Sequence, residues 1–167
     1  MIKTEWDLKQ LFPDGNIEEY TKVKVKKWKA FATKYRRDKE YLKSPEKLKL
    51  ALDEYCEITK NFGVYGKDRF HYMLQNSLEI DNSEIKNKRK ELGDVSVEIS
   101  NDLEFFSLEL GKVSNKQQNI FLNSIILKDY RYFLKRLFVV SKYFLSEDSE
   151  KLISLLGDSS FGNWIKL

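Results

Sequence analysis

Two prolines, Pro13 and Pro45, with none after them, constrain most strongly what this 167-residue chain can fold into. Proline breaks a helix by removing a backbone donor and clashing with the preceding turn, so a long proline-free stretch leaves helix open. Glycine, the other common breaker, occurs only seven times, and Lys, Glu and Leu, all good helix formers, are plentiful. The alternation that marks a strand shows only at Val23 and Val25. Hydrophobic residues at 41% and aromatics at 14% suffice for a core, although 34% of residues are charged. The expectation is an all-α fold of antiparallel helical hairpins, about seven helices with one long central helix. A single domain spans 1–167: a leader over 1–16, hairpins over 17–157, and over 158–167 the start of a continuation that is cut short.

The leader carries Trp6, Leu8, Leu11 and Phe12 and ends in the turn Pro13-Asp14-Gly15-Asn16. Asn16 suits an N-cap, and a first helix from Ile17 to about Arg37 bears the stripe Ile17, Tyr20, Trp28, Phe31 and Tyr35. Ser44-Pro45-Glu46 is a second helix start, followed by Leu48, Ala51, Leu52, Tyr55 and Phe62. Gly63 and Gly66 punctuate, and a third helix covers Asp68 to Leu78. Asp81-Asn82-Ser83 caps the long fourth helix, whose stripe runs Ile85, Leu92, Val95, Ile99, Leu103, Phe106 and Leu110 to a stop at Gly111. Gly93 inside it costs about 1 kcal/mol relative to alanine, which a kink or a close helix contact would explain. A fifth helix begins near Ser114 with Ile120, Phe121 and Ile125. In the sixth, Ile126, Tyr130, Phe133, Leu137, Val140 and Phe144 step by four and three, and Leu127, Leu134 and Phe138 widen the stripe, so contacts on more than one side are expected. Ser146 caps a seventh helix with Leu152, Ile153, Leu155 and Leu156, ended by Gly157.

Little here can do catalysis. His71 is the sole histidine, so a His-Glu-x-x-His zinc site cannot be built from these residues. It reads as a satisfied or surface histidine, and Cys56 as a small buried apolar residue. Gly63-Val64-Tyr65-Gly66 lacks the ending of a phosphate-binding loop. Asp53-Glu54 and Glu147-Asp148 are adjacent pairs, and adjacent helical residues do not face each other. No catalytic, cofactor-binding or metal residue is therefore assigned.

A net charge of +4 over 30 cations and 26 anions is no strong summons to an anionic partner. The run from Lys22 to Lys29 still places Lys22, Lys26, Lys29 and Arg36 on one helix face, which could meet phosphates; a solvated face explains it better, so nucleic acid is an unfavoured partner. The start, Met1 to Trp6, has no apolar signal stretch, nothing approaches about 18 uninterrupted apolar residues, and one cysteine fits a reducing compartment. A cytoplasmic location with no membrane partner is expected.

The order of these pieces resembles the N-terminal region of oligoendopeptidase F, of the thimet-oligopeptidase kind of zinc metallopeptidases. The resemblance rests on Glu5-Trp6-Asp7-Leu8-Lys9-Gln10-Leu11-Phe12-Pro13 and Ser44-Pro45-Glu46-Lys47-Leu48. It continues through Tyr130-Arg131-Tyr132-Phe133-Leu134, Phe144-Leu145-Ser146-Glu147, Glu150-Lys151-Leu152 and Phe161-Gly162-Asn163-Trp164. It departs at Tyr132 and Lys135, where family members often carry histidine and an acid. The resemblance implies a non-catalytic lobe walling a channel for short peptides, partnered by a C-terminal catalytic domain that holds zinc and hydrolyses them. Leu156, Phe161, Trp164, Ile165 and Leu167 crowd the C-terminus and suit a chain short of its packing partner. Two other classes stay open: a stand-alone module binding a protein through an exposed apolar groove, and a nucleic-acid binder using the Lys22 to Arg36 face.

Overall fold

The computed structural model describes residues 7–159, so Trp6, Phe161, Trp164, Ile165 and Leu167 lie outside the described residues. Seven α-helices occur among them: α1 (Ile17–Arg37), α2 (Pro45–Phe62), α3 (Lys67–Leu78), α4 (Ser83–Gly111), α5 (Asn115–Asn123), α6 (Arg131–Val140) and α7 (Glu147–Ser159). Short 3-10 segments occupy Leu8–Gln10, Lys39–Leu42, Ile125–Tyr130 and Ser141–Tyr143. No strand occurs among the described residues, and Val23 and Val25 lie within α1. The fold is all-α, with α4 as its long helix, about 44 Å at a rise of about 1.5 Å per residue. No described helix is long and apolar enough to cross a membrane.

Local chemistry sets most boundaries. The Ser44 hydroxyl accepts from the Lys47 amide while Pro45 occupies the first turn of α2. Asn82 Oδ1 accepts from the amides of both Glu84 and Ile85 to start α4. Ser114 caps α5 and Ser146 Oγ accepts from Ser149 at the start of α7. Asn16 precedes α1 as expected, yet its side chain makes no capping bond. The helix α7 continues through Gly157 to Ser159.

Helices α1 and α2 pair antiparallel: Tyr20 Oη donates to the Asn61 carbonyl, Trp28 Nε1 to that of Phe62 at 2.7 Å, and Tyr35 Oη to Glu54 at 2.8 Å. Helix α3 folds back onto α4. The hairpins also create a pair the sequence does not announce, because α1 and α4 run side by side in the same direction. Contacts climb together along both, from Glu18 with Lys88 through Lys29 with Glu98 to Arg36 with the Asp102 carbonyl. Phe106 of α4 is the centre of the core. Its ring stacks on Tyr41 at 5.0 Å and on Tyr55 at 5.8 Å between centroids, and meets the edge of Phe31 at 5.3 Å.

Helix six departs from its expected form. The backbone from Ile125 to Tyr130 is 3-10, the α-helix begins only at Arg131, and the neighbouring set of apolar residues takes the inward face. Leu127, Leu134, Leu137 and Phe138 are buried, whereas Ile126, Phe133 and Val140 face outward.

Two glycines exchange roles. A Cβ at Gly93 would meet nothing within 4 Å, so no close contact explains it. At Gly111 a Cβ would lie 2.6 Å from Ser141 Cβ and 3.0 Å from Phe144 Cε2. Gly111 is thus a closely packed residue inside the end of α4, whose cap is Lys112 in ordinary right-handed geometry, and not a left-handed stop. Gly111→Ala should therefore destabilise the chain by about 1–3 kcal/mol through overpacking. Gly93→Ala should stabilise it by about 0.5–1 kcal/mol through helix propensity. Urea denaturation of the two variants beside the parent checks both signs.

Candidate functional site

The residues with catalytic potential lie apart. His71 is buried on α3, with Phe12 and Tyr72 presenting rings edge-on at 5.7 and 5.4 Å. Its Nδ1 has no protein hydrogen-bond partner, so it is neither a surface nor a fully satisfied histidine, and burial pushes its pKa below the usual imidazole value. Cys56 is exposed on α2, contrary to the buried role expected of it, because it falls one position past the inward-facing Tyr55. Asp53 takes Lys49 and the Tyr130 hydroxyl, while Glu54 takes Lys34 and Tyr35. These neighbouring carboxylates serve two separate networks. Glu147 pairs with Arg36 and Lys151. Among the described residues no group of three or more His, Cys, Asp or Glu converges as a metal site would require. The residues present therefore do not fit a zinc-peptidase donor set.

Of the basic face expected on α1, Lys29 and Arg36 meet acids, while Lys22 and Lys26 stay exposed. Lys24 is wholly buried and its Nζ lies 2.5 Å from Asp68 Oδ2, which also accepts from Thr21 Oγ1 at 2.9 Å. Lys29 pairs with Glu98, Lys34 with Glu54, and Arg36 with Glu147. The Lys24 pair was legible in principle: Tyr20, Lys24, Trp28, Phe31 and Tyr35 share one α-spaced stripe, so a lysine there requires a buried acid. What spacing could not supply was which acid.

A different surface stands out on the segment from Ile125 to Tyr143. Burial of Leu127, Leu134, Leu137 and Phe138 against the bundle leaves a second apolar face outward. Ile125 (76% exposed), Tyr132 (73%), Phe133 (43%), Val139 (57%), Val140 (46%) and Tyr143 (81%) lie on it. Scattered single apolar residues on a surface are ordinary, but this many within one helix and its flanking turns, with Arg136 exposed among them, make a candidate contact region.

Comparison with known proteins bears on that segment. An N-terminal peptidase M3 family model, described as oligopeptidase F, matches residues 109–167, which include α5, α6 and α7. An "Oligoendopeptidase F homolog" of Borreliella burgdorferi is 27% identical over 154 residues, covering 90% of this chain. The chain is similar to the N-terminal region of oligoendopeptidase F. It spans 24% of the length of that curated relative. No solved structure matches it. The oligoendopeptidase F resemblance read from short motifs thus holds, and the outward apolar face of α6 falls inside the matched part.

The buried polar groups give two checkable consequences. Asp68→Leu strands the Lys24 ammonium and should cost about 3–5 kcal/mol, whereas Lys24→Met with Asp68→Leu should recover most of that loss. For His71, a lowered folded pKa means that the unfolded chain takes up the proton first as pH falls through about 6.5. Its contribution is complete above that pH and declines on acidification. His71→Phe should therefore flatten the fall in urea midpoint between pH 7 and pH 5.

Proposed function

We propose that this chain is the non-catalytic helical lobe of an oligoendopeptidase F-type zinc peptidase. It forms part of the wall of a channel for short peptides, and it docks on the catalytic remainder of the protein through the outward face of α6. The observation that carries the reading is the coincidence of place: the exposed apolar residues Ile125, Tyr132, Phe133, Val139, Val140 and Tyr143 lie in the segment matched by the oligopeptidase F model. A helix with apolar residues on both faces is one contacted on both sides. Here one side is filled by the bundle, through Leu134, Leu137 and Phe138, and the other awaits a partner.

Zinc, in this reading, is held by residues other than the described ones, and no step of hydrolysis is assigned to His71, Cys56 or the carboxylates. The lobe contributes shape, narrowing access so that short peptides enter and folded proteins do not. A cytoplasmic setting suits the exposed Cys56 thiol, which a reducing compartment keeps unpaired.

The coding sequence after Leu167 is the first test, and a His-Glu-x-x-His segment in the same frame or on a neighbouring gene is the expected result. In the assembled protein, Phe133→Glu with Val140→Glu should lower peptidase activity at least tenfold. The same pair in the 167-residue chain should leave the melting temperature within about 2 °C, because both side chains are exposed. An in-frame stop with no such partner, or stoichiometric zinc and peptide cleavage by the 167-residue chain alone, overturns the reading.

A further inference from the structure

Lys24, Lys29, Lys34 and Arg36 of α1 are paired, whereas four cations that line a groove between α3 and α4 are not. A groove of about 380 Å³ is lined by Tyr65 and Arg69 from the start of α3 and by Lys86, Arg89, Lys90, Gly93, Asp94 and Val97 of α4. On α4 these residues recur at three- and four-residue steps, so they form one face. None of Arg69, Lys86, Arg89 and Lys90 lies within 4.0 Å of a described carboxylate oxygen, and the Arg69 guanidinium rests 4.8 Å over the exposed Tyr65 ring. Four cations and one acid give the groove a net charge of +3, close to the +4 of the whole chain. Lys86 and Lys90 stand one turn apart, where like charges repel, so an anion placed between them relieves a strain already present.

We propose that this groove binds an acidic peptide segment of about five residues. From Lys86 to Val97 is about 17 Å of helix, the length of about five extended residues at about 3.3 Å each. Arg69 and Arg89 offer planar forks that hold carboxylates bidentately, and Lys86 and Lys90 supply point charges. The open floor at Gly93, where even a Cβ would meet no atom within 4 Å, leaves room for a backbone. Asp94 decides between anions. A peptide brings a backbone N–H at nearly every residue, or an ammonium, for it to accept, whereas the backbone of a nucleic acid presents phosphates, which it repels. The choice of a peptide rests on the peptide-handling role proposed above; the charge of the groove does not depend on it.

The test is fluorescence anisotropy on the 167-residue chain, with a labelled pentapeptide alternating Glu and Ala, its Gln counterpart, a labelled oligonucleotide and inorganic phosphate as competitor. The Glu peptide should bind at low salt, weaken steeply as salt rises, and lose at least tenfold in affinity with Arg69→Gln and Arg89→Gln. Lys29→Gln, which is paired with Glu98 and does not line the groove, should change nothing. Equal affinity for the Gln peptide, binding untouched by the double variant, or oligonucleotide binding without Glu-peptide binding overturns the proposal. Since the measurement needs no catalysis, its failure leaves the coding sequence after Leu167 to judge the peptidase reading independently.

Discussion

The rings around Phe106 hold the lobe together. Phe31 comes from α1, Tyr41 from the 3-10 turn after it, Tyr55 from α2 and Phe106 from α4, so one side chain ties four segments. Each such ring buries about 150–250 Å², and stacked or edge-on contacts fix orientation as well as proximity. Two consequences follow from that point. Helix α4 must lie along α1 over much of its length, and its far end must meet the last part of the chain where Gly111 admits Ser141 and Phe144. The position of α6, and hence of its outward face, descends from the aromatic centre through that contact.

Polar groups are distributed around this centre in a way that separates stability from binding. Lys24 and Asp68 are consumed internally, since a fully buried ammonium tolerates nothing else. Lys29, Lys34 and Arg36 of α1 are engaged by acids of α4, α2 and α7 through mostly exposed pairs, each worth little by itself. Together they neutralise part of the face that a linear reading makes most basic, and Lys22 and Lys26 stay exposed on it. Arg69, Lys86, Arg89 and Lys90, also without acids, gather between α3 and α4, away from the run of lysines in the primary structure.

The two proposed surfaces differ in chemistry. The face of α6 is apolar and lies in the segment shared with oligopeptidase F, which fits permanent packing against another part of a larger protein. The α3–α4 groove is charged and open, which fits a ligand that comes and goes. A lobe with one surface for assembly and another for peptide suits a chain whose described residues bring no metal-ligand cluster together.

Residue pattern alone determined the class of fold, the helix starts and much of the core. Absent prolines, the Ser44-Pro45 start, the Asn82 cap and the spacing of Trp28, Phe31, Tyr35, Leu48 and Leu52 act within one or two turns, and short-range chemistry does not wait for a partner. The ordered motifs likewise carried the oligoendopeptidase F resemblance. Tertiary structure alone decided the acid that meets Lys24, the parallel course of α1 and α4, the use of Gly111 as a contact, and the side of α6 that is left outward. Each depends on segments distant in the chain, 44 residues apart for Lys24 and Asp68. Leu127, Leu134 and Phe138 are buried where Ile126, Phe133 and Val140 are not, and an exposed Cys56 replaced a buried one, because burial is settled by what packs opposite and not by periodicity.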